Sequence, residues 1–182
     1  MQQMTKKILA NSLKKLMLKK PLARITIKDI VNDCGFNRQT FYYHFQDIYD
    51  LLGWTYKTEV VDSISDFKTY DNWPQGFLKI FQYVKNNKSF CINTFNSLGR
   101  DHLENFLYNQ IFYMIIDVIE EISINSNISS KEKEFIANFY TYAFIGILTS
   151  WIKTNMEENP EDIIKKVEKL INGNIKKAVS RN

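Results

Sequence analysis

Residues 25–45 read ITIKDIVNDCGFNRQTFYYHF, and this stretch decides the fold of the first part of the chain. Thr26 is a typical N-cap residue, and Asp29 stands three positions later, which is the spacing of a capping box. Gly35 is the residue type that ends a helix in the left-handed conformation. Asn37 is a second N-cap residue. The stretch therefore predicts two short helices, over about 27–34 and 38–45, joined by a tight turn.

The two short helices have different inner and outer faces. In the second helix Phe41 and Phe45 are four positions apart, so both point inward. The side chains left on its outer face are Arg38, Gln39, Tyr42 and Tyr43. Two short helices joined by a turn containing glycine are typical of a helix-turn-helix, whose second helix enters the major groove of DNA.

The outer face of the second helix carries side chains suited to reading bases. Arg38 can donate two hydrogen bonds to guanine, and Gln39 can pair with adenine. Tyr42 and Tyr43 can give a hydroxyl to a phosphate or pack against a thymine methyl group. The alternative is an exposed helix without a partner, and for Tyr42 a packing role.

Four further residues are candidates for contacts with the DNA backbone. Thr40 and His44 suit phosphate contacts, which set the register but carry no sequence information. Thr26 and Lys28 open the preceding helix, where the backbone is expected to pass. The alternative for His44 is a packed, hydrogen-bonded histidine, while Thr26 is a cap in either case.

The charge of the chain is unevenly distributed. The net charge is +4, from 24 basic and 20 acidic residues. Nine of the basic residues and three of the acidic ones lie within residues 1–48, so this part carries +6 and the remainder −2. A basic first part on a slightly acidic remainder favours contact with a polyanion, although a basic solvated surface would look the same.

The rest of the sequence predicts an all-α protein with about nine helices. An apolar pattern at three- and four-residue steps continues in both directions from the quoted stretch. Further helices are predicted over about 5–19, 47–64, 73–87, 89–99, 101–124, 130–156 and 160–173. We expect a three-helix DNA-binding domain over residues 1–48, a connecting helix over about 47–64, and a C-terminal domain over 65–182 for effector binding and dimerisation.

Two apolar stripes in the last long helices predict a dimer interface. They consist of Phe139, Ala143, Ile147 and Trp151 in one helix, and of Ile164, Val167 and Leu170 in the next. Two helices with excess apolar surface can form a four-helix bundle across a two-fold axis. The alternative is burial of both stripes within one chain.

Catalytic and metal sites are not indicated. The two histidines, His44 and His102, have no carboxylate or nucleophile at a telling spacing, and the sequence has no glycine-rich phosphate loop. Cys34 and Cys91 give neither a disulfide framework nor a metal cluster. We therefore expect no enzymatic activity, no cofactor and no metal.

The sequence predicts a cytoplasmic protein. Its first residues lack the pattern of a signal peptide. Its most apolar stretch, residues 135–152, is interrupted by polar side chains, whereas a membrane span needs about 20 predominantly apolar residues. A buried helix is therefore the better interpretation of this stretch.

The quoted stretch strongly resembles the DNA-binding signature of the TetR/AcrR family of transcriptional regulators. The matching elements are TIKDI, then CGFN, then TFYYHF. Residues 37–52, NRQTFYYHFQDIYDLL, resemble more narrowly the DhaS-like branch, the regulators of dihydroxyacetone kinase. The clear resemblance covers about residues 5–54. Departures are Ile48, where the family often has a phosphate-binding lysine, Cys34 in place of alanine, and Asn37 in place of serine or threonine.

The resemblance implies a dimeric, sequence-specific regulator that binds a palindromic operator. Its C-terminal domain would respond to a small-molecule effector or to a co-regulator protein, and repression and activation both stay open. The alternative is a helical interaction module that acts through a protein partner and has lost DNA binding, for which Ile48 is the sole hint.

Overall fold

The computed structural model of the chain describes residues 2–64, 67, 69–171 and 173–180. These residues form helices and contain no strand, which confirms the all-α prediction. The helices are α1 (Gln2–Met17), α2 (Ile27–Cys34), α3 (Arg38–His44), α4 (Ile48–Ile64), α5 (Trp73–Asn86), α6 (Lys88–Phe95), α7 (Arg100–Ile122), α8 (Ser130–Lys153), α9 (Pro160–Ile171) and α10 (Asn174–Ser180), with a 3-10 turn over Leu22–Arg24. Helix α10 follows Gly173, where the sequence pattern ends the last helix.

The caps predicted for α2 and α3 are present. The N–H of Asp29 donates to Thr26 Oγ1 at 3.2 Å, and the N–H of Thr26 donates to Asp29 Oδ2 at 2.8 Å, which closes a capping box. Gly35 is left-handed, with φ +73°, and ends α2. The side chain of Asn37 accepts from the N–H of Thr40 at 2.8 Å. Local chemistry therefore fixes where both short helices begin and where the turn lies.

The chain folds into two compact units. Unit 1 consists of Met1–Val60 and Asn87–Phe106, so it holds α1 to α4 together with α6 and the first part of α7. Its core is built from fully buried apolar side chains, among them Leu9, Leu13, Ile30, Phe41, Leu51 and Leu52. Burying each such side chain stabilises the unit by about 1.5–3 kcal/mol. The functional division into residues 1–48 and 65–182 stays a prediction.

Polar contacts tie α4 and α6 together within unit 1. The hydroxyl of Tyr56, fully buried, donates to Thr94 Oγ1 at 2.8 Å. The Tyr56 ring also packs on Phe90, with centroids 4.9 Å apart. On α1, Lys14 pairs with Glu59 at 2.7 Å. Helix α6 is therefore an integral part of this unit, although it is distant in sequence from α1 and α4.

Unit 2 consists of Val61–Asn86 and Leu107–Asn182, and its core contains a cluster of aromatic rings among aliphatic side chains. The rings of Phe77 in α5 and Phe144 in α8 stack at 3.6 Å between centroids, and Phe81 lies 5.0 Å from Trp151. The space beside the Phe77–Phe144 stack has a volume of about 10 Å³, roughly the least that can accommodate one water molecule. The core at this point is closely packed.

Helix α8 has one buried and one exposed side. Among the described residues it is the one helix long and apolar enough to span a membrane by length and composition, and 33% of its most apolar window is buried. Its inner side carries Ala137, Thr141, Phe144, Leu148 and Trp151. A core helix of a helical bundle has the same length and composition as such a span.

Candidate nucleic-acid interface

The outward side of α3 presents four polar or aromatic side chains to solvent. We call this set, Arg38, Gln39, Tyr42 and Tyr43, the recognition face. All four are exposed, with Tyr42 at 58% and Tyr43 at 70%. On the opposite side Phe41 is fully buried, and Phe45, just after the helix, is 3% exposed. The buried rings fix the rotation of α3, so the recognition face necessarily points away from the core.

Two other predicted contact residues of α3 are less exposed than the recognition face. Thr40 and His44 are half-buried. The hydroxyl of Thr40 donates to Asn37 Oδ1 at 3.0 Å, so it supports the N-cap of α3. The His44 ring meets the edge of Tyr43 with centroids 4.9 Å apart. Both residues thus support the recognition face and still reach the surface beside it.

Thr26 and Lys28 are exposed at the start of α2. The hydroxyl of Thr26 donates to Asp29 Oδ2 at 2.8 Å, and the same carboxylate pairs with Lys20 at 2.9 Å. The hydrogen bond from Lys20, followed by those from Thr26, lowers the pKa of Asp29 to about 2. Asp29 is therefore ionised at neutral pH and its charge is balanced by Lys20.

The acidic residues of α2 are paired, while the basic residues of the candidate interface are not. Besides the Asp29 pair, Asp33 accepts from Lys15 at 2.6 Å, and this hydrogen bond lowers the pKa of Asp33. Within the described part of the chain, neither Arg38 nor Lys28 has an ion pair. Both cations are available for a polyanion.

Sequence reasoning missed the part that α1 plays at this surface. The side-chain amide of Gln2 donates to the hydroxyl of Tyr43 at 2.9 Å. One turn further on, the ammonium of Lys6 lies 5.3 Å above the ring of Phe45 and 5.7 Å from that of Trp54. The first turns of α1 therefore border the recognition face. Such contacts join residues about 40 positions apart, and no local pattern signals them.

The first turn of α4 lacks a basic side chain. Ile48 is half-buried, and the exposed carboxylates of Asp47 and Asp50 cap the helix start. Asp47 Oδ1 accepts from the N–H of Asp50 at 2.8 Å, and Asp50 Oδ2 accepts from the N–H of Gln46 at 3.0 Å. Among the predicted contact residues, the cations Lys28 and Arg38 thus lie on α2 and α3, and α4 adds none.

The residues predicted for the dimer interface lie along an open groove between α8 and α9. The groove has a volume of about 550 Å³ and takes in Ala143, Ile147, Trp151, Val167 and Leu170, which we call the α8–α9 groove. Phe139 is exposed at 63% and Leu170 at 71%. Trp151, Ile164 and Val167 are buried within unit 2. Trp151 and Val167 form the floor of the groove, whereas Ile164 is not part of its lining. The dimer interface stays a prediction.

The two thiols are both of low reactivity. Desolvation raises the pKa of Cys34, and burial raises the pKa of Cys91 to about 12. A protonated, buried thiol is a poor nucleophile and a poor metal ligand. Among the residues that the structure describes, no group of three or more His, Cys, Asp or Glu side chains is arranged to hold a metal ion.

Both parts of the chain match known protein families. Residues 11–53 match the bacterial regulatory proteins of the tetR family, and residues 71–173 match a transcriptional regulator C-terminal region. The second match alone covers more than half of the chain.

Individual relatives point the same way. The chain is 29% identical over 145 residues to the HTH-type dhaKLM operon transcriptional activator DhaS of Lactococcus lactis subsp. lactis (strain IL1403), covering 79% of this chain and 76% of the relative. It also resembles a solved structure, the dihydroxyacetone kinase operon activator DhaS, with a TM-score of 0.73 and 27% identity over 94% of this chain and 96% of that one. These relatives are transcriptional regulators.

Proposed function

Because the chain belongs to the TetR family of bacterial transcriptional regulators and binds DNA as one of them, we propose that it reads a palindromic operator as a homodimer, through α3. The observation that carries this proposal is the recognition face, where Arg38, Gln39, Tyr42 and Tyr43 are exposed on a helix whose rotation is fixed by Phe41. A short helix of this kind fits the major groove.

Within this proposal the side chains divide into two groups. Arg38 and Gln39 at the start of α3 read base edges, because their paired donors and acceptors match guanine and adenine. Contacts with the phosphate backbone come from Thr26, Lys28, Thr40, Tyr42, Tyr43 and His44. The unpaired charge of Lys28 supports its assignment to the phosphate backbone, since phosphate contacts supply most of the affinity.

The second copy of the chain is proposed to cover the α8–α9 groove. Leu170 is exposed in this groove beside Ala143 and Ile147, and Phe139 is exposed one turn before Ala143 on α8. Large exposed apolar patches are unusual on monomers and are covered in homodimers. A two-fold dimer would place two recognition faces on half-sites about 34 Å apart.

The signal that controls DNA binding is proposed to act on unit 2. The space enclosed beside Phe77 and Phe144 is about 10 Å³, whereas small-molecule sites measure roughly 300–1,000 Å³. This close packing favours a co-regulator protein on the surface of unit 2 over a small molecule at this point of its core.

We infer the regulated genes and the cellular location from the relatives. The curated relative is described as a transcriptional activator of the dhaKLM operon and the solved structure as a dihydroxyacetone kinase operon activator. We therefore propose that this chain activates an operon of that kind in the cytoplasm. Deleting its gene should lower transcription of such an operon. Increased transcription would indicate a repressor.

The central experiment is a selection of bound sites from random-sequence duplexes. We expect enrichment of a palindrome whose half-sites lie about one helical turn apart. The control is Arg38→Ala, which should lose enrichment at one position of each half-site. Failure of the wild-type protein to enrich any sequence at low salt would favour the alternative, a helical interaction module without DNA binding.

A further inference from the structure

One side chain of α6 is bound to the main chain of the segment that follows α1. The side-chain amide nitrogen of Asn93 donates to the carbonyl oxygens of Met17 and Lys20, both at 2.9 Å. Its side-chain oxygen accepts from the N–H of Leu22 at 2.8 Å. Both amide protons and the oxygen are therefore in use, on three groups more than 70 positions away in sequence.

These three hydrogen bonds hold the α1–α2 turn, which we define as residues 18–26. The carbonyls in the last turn of a helix have no partner inside the helix, and Asn93 binds one of them at Met17. Met17, just before the turn, and Leu22, within it, are buried, at 3% and 2% exposure. The turn sets the direction in which α2, and with it α3, leaves α1.

Helix α6 is itself firmly held in unit 1. Next to Asn93, the hydroxyl of Thr94 accepts from Tyr56 of α4 and donates to the carbonyl of Phe90 at 3.0 Å. The ammonium of Lys14 on α1 lies 5.4 Å from the ring of Phe90. Moving α6 would thus displace or break the Asn93 hydrogen bonds while pulling on α4.

The chain enters this part of unit 1 from unit 2 and returns to it. Unit 2 contains residues up to Asn86, unit 1 resumes at Asn87, and it ends at Phe106 within α7. Both ends of the α6 segment are therefore covalently joined to unit 2.

We propose that Asn93 is a positioning residue for DNA recognition, through which α6 sets the orientation of α2 and α3. The inference rests on the proposed function, because it requires two recognition faces held at a defined separation. If Asn93 has a structural role alone, replacing it should lower stability and reduce binding to all duplexes in proportion. If Asn93 positions the recognition faces, replacing it should change the preference among half-site spacings, since each base pair moves a half-site by about 3.4 Å along the DNA.

The test uses the full-length wild-type protein and the palindrome selected by it from random DNA, with the spacer unchanged or altered by one base pair. Asn93→Ala removes all three hydrogen bonds. Asn93→Asp keeps the shape of the side chain and the acceptor for Leu22, but places a carboxylate against two carbonyls. The matched control is Thr55→Ala, because Thr55 is buried in unit 1 and its hydroxyl bonds only within α4, to Leu51 at 2.8 Å. Thermal midpoints are measured for all four proteins.

Both Asn93 variants should reduce the preference for the unchanged spacer by about threefold or more, the factor expected from one lost hydrogen bond. Thr55→Ala should leave the preference unaltered at a comparable loss of thermal midpoint. An unaltered preference in the Asn93 variant that stays folded would overturn the inference, and so would a wild-type protein that binds all spacers equally. A wild-type protein that binds no duplex would contradict the proposed function as well.

Discussion

The side-chain amide of Gln2 donates a hydrogen bond to the hydroxyl of Tyr43, across a distance of 2.9 Å, so the first turn of α1 is bound to the recognition face. The hydroxyl keeps its own proton for a second partner, which in the proposed complex is a phosphate. Gln2 thus holds the Tyr43 ring in place before DNA binds, and this lowers the entropic cost of the contact.

Replacing Tyr43 by phenylalanine should weaken DNA binding by about 0.5–1.5 kcal/mol, because the hydrogen bond from the hydroxyl to DNA is lost. The loss should be equal on different sequences if the hydroxyl contacts phosphate. Fluorescence anisotropy on two unrelated palindromes measures both quantities. Tyr113→Phe is the matched control, since Tyr113 is exposed to a similar degree, 61%, in unit 2. A base-dependent loss would place the hydroxyl on a base edge.

Arg38→Ala should weaken operator binding by about 1–3 kcal/mol and relax specificity at one base position, because a paired contact with guanine is lost. The measurement is a set of affinities for operators with single base changes. An equal loss on every operator would contradict base recognition by Arg38 and reassign it to the phosphate backbone.

Lys28→Ala should weaken binding by a similar factor on all sequences and reduce the salt dependence of the affinity. Each phosphate contact contributes about one unit to the slope of log K against log salt, so the slope should fall by about 1. Lys169→Ala, an exposed lysine of α9, serves as the control and should keep the wild-type slope. A wild-type affinity that does not change with salt would rule out a backbone-dominated interface.

Leu170→Glu and Phe139→Glu should convert the dimer to a monomer in light scattering, because each buries a charge in an apolar interface. These positions are preferable to Trp151, whose ring nitrogen donates to the carbonyl of Glu158 at 2.8 Å inside unit 2. The control is Tyr113→Glu on α7, outside the α8–α9 groove. A dimer that survives both substitutions would place the interface elsewhere.

Asp29→Asn should destabilise the protein at neutral pH, and the difference from wild type should vanish in acid. The pKa of Asp29 is lowered in the folded state from 3.8 to about 2, so its contribution to stability is complete above 3.8 and is lost as the pH falls through about 2. Urea unfolding of both proteins between about pH 7 and pH 2 gives the difference. A constant difference over this range would mean that the charge of Asp29 contributes nothing.

Local chemistry made the centre of the fold predictable. Thr26, Asp29, Gly35 and Asn37 each act within four residues of their own position, through capping bonds or a left-handed backbone. The inward direction of Phe41 follows from its spacing to Phe45 in the same way. The positions of α2, α3 and the recognition face could therefore be predicted from a short stretch of sequence.

Long-range contacts were beyond the reach of sequence patterns. Nothing near Asn93 indicates that its amide binds the α1–α2 turn, and nothing near Gln2 indicates Tyr43. An apolar stripe likewise does not reveal what covers it. Trp151 and Val167 belong to the predicted stripes, yet they pack inside unit 2, whereas Leu170 of the same pattern is exposed. Only the three-dimensional arrangement separates the two cases.

All three partners of Asn93 are main-chain groups, and this has an evolutionary consequence. Nearly any residue supplies the carbonyl at positions 17 and 20, and any residue except proline supplies the N–H at position 22. Substitutions at these three positions therefore leave the hydrogen bonds to Asn93 intact, as long as apolar residues fill positions 17 and 22. A single substitution of Asn93 removes all three hydrogen bonds. Operator specificity can thus change through substitutions in α3 that leave the Asn93 hydrogen bonds unaltered.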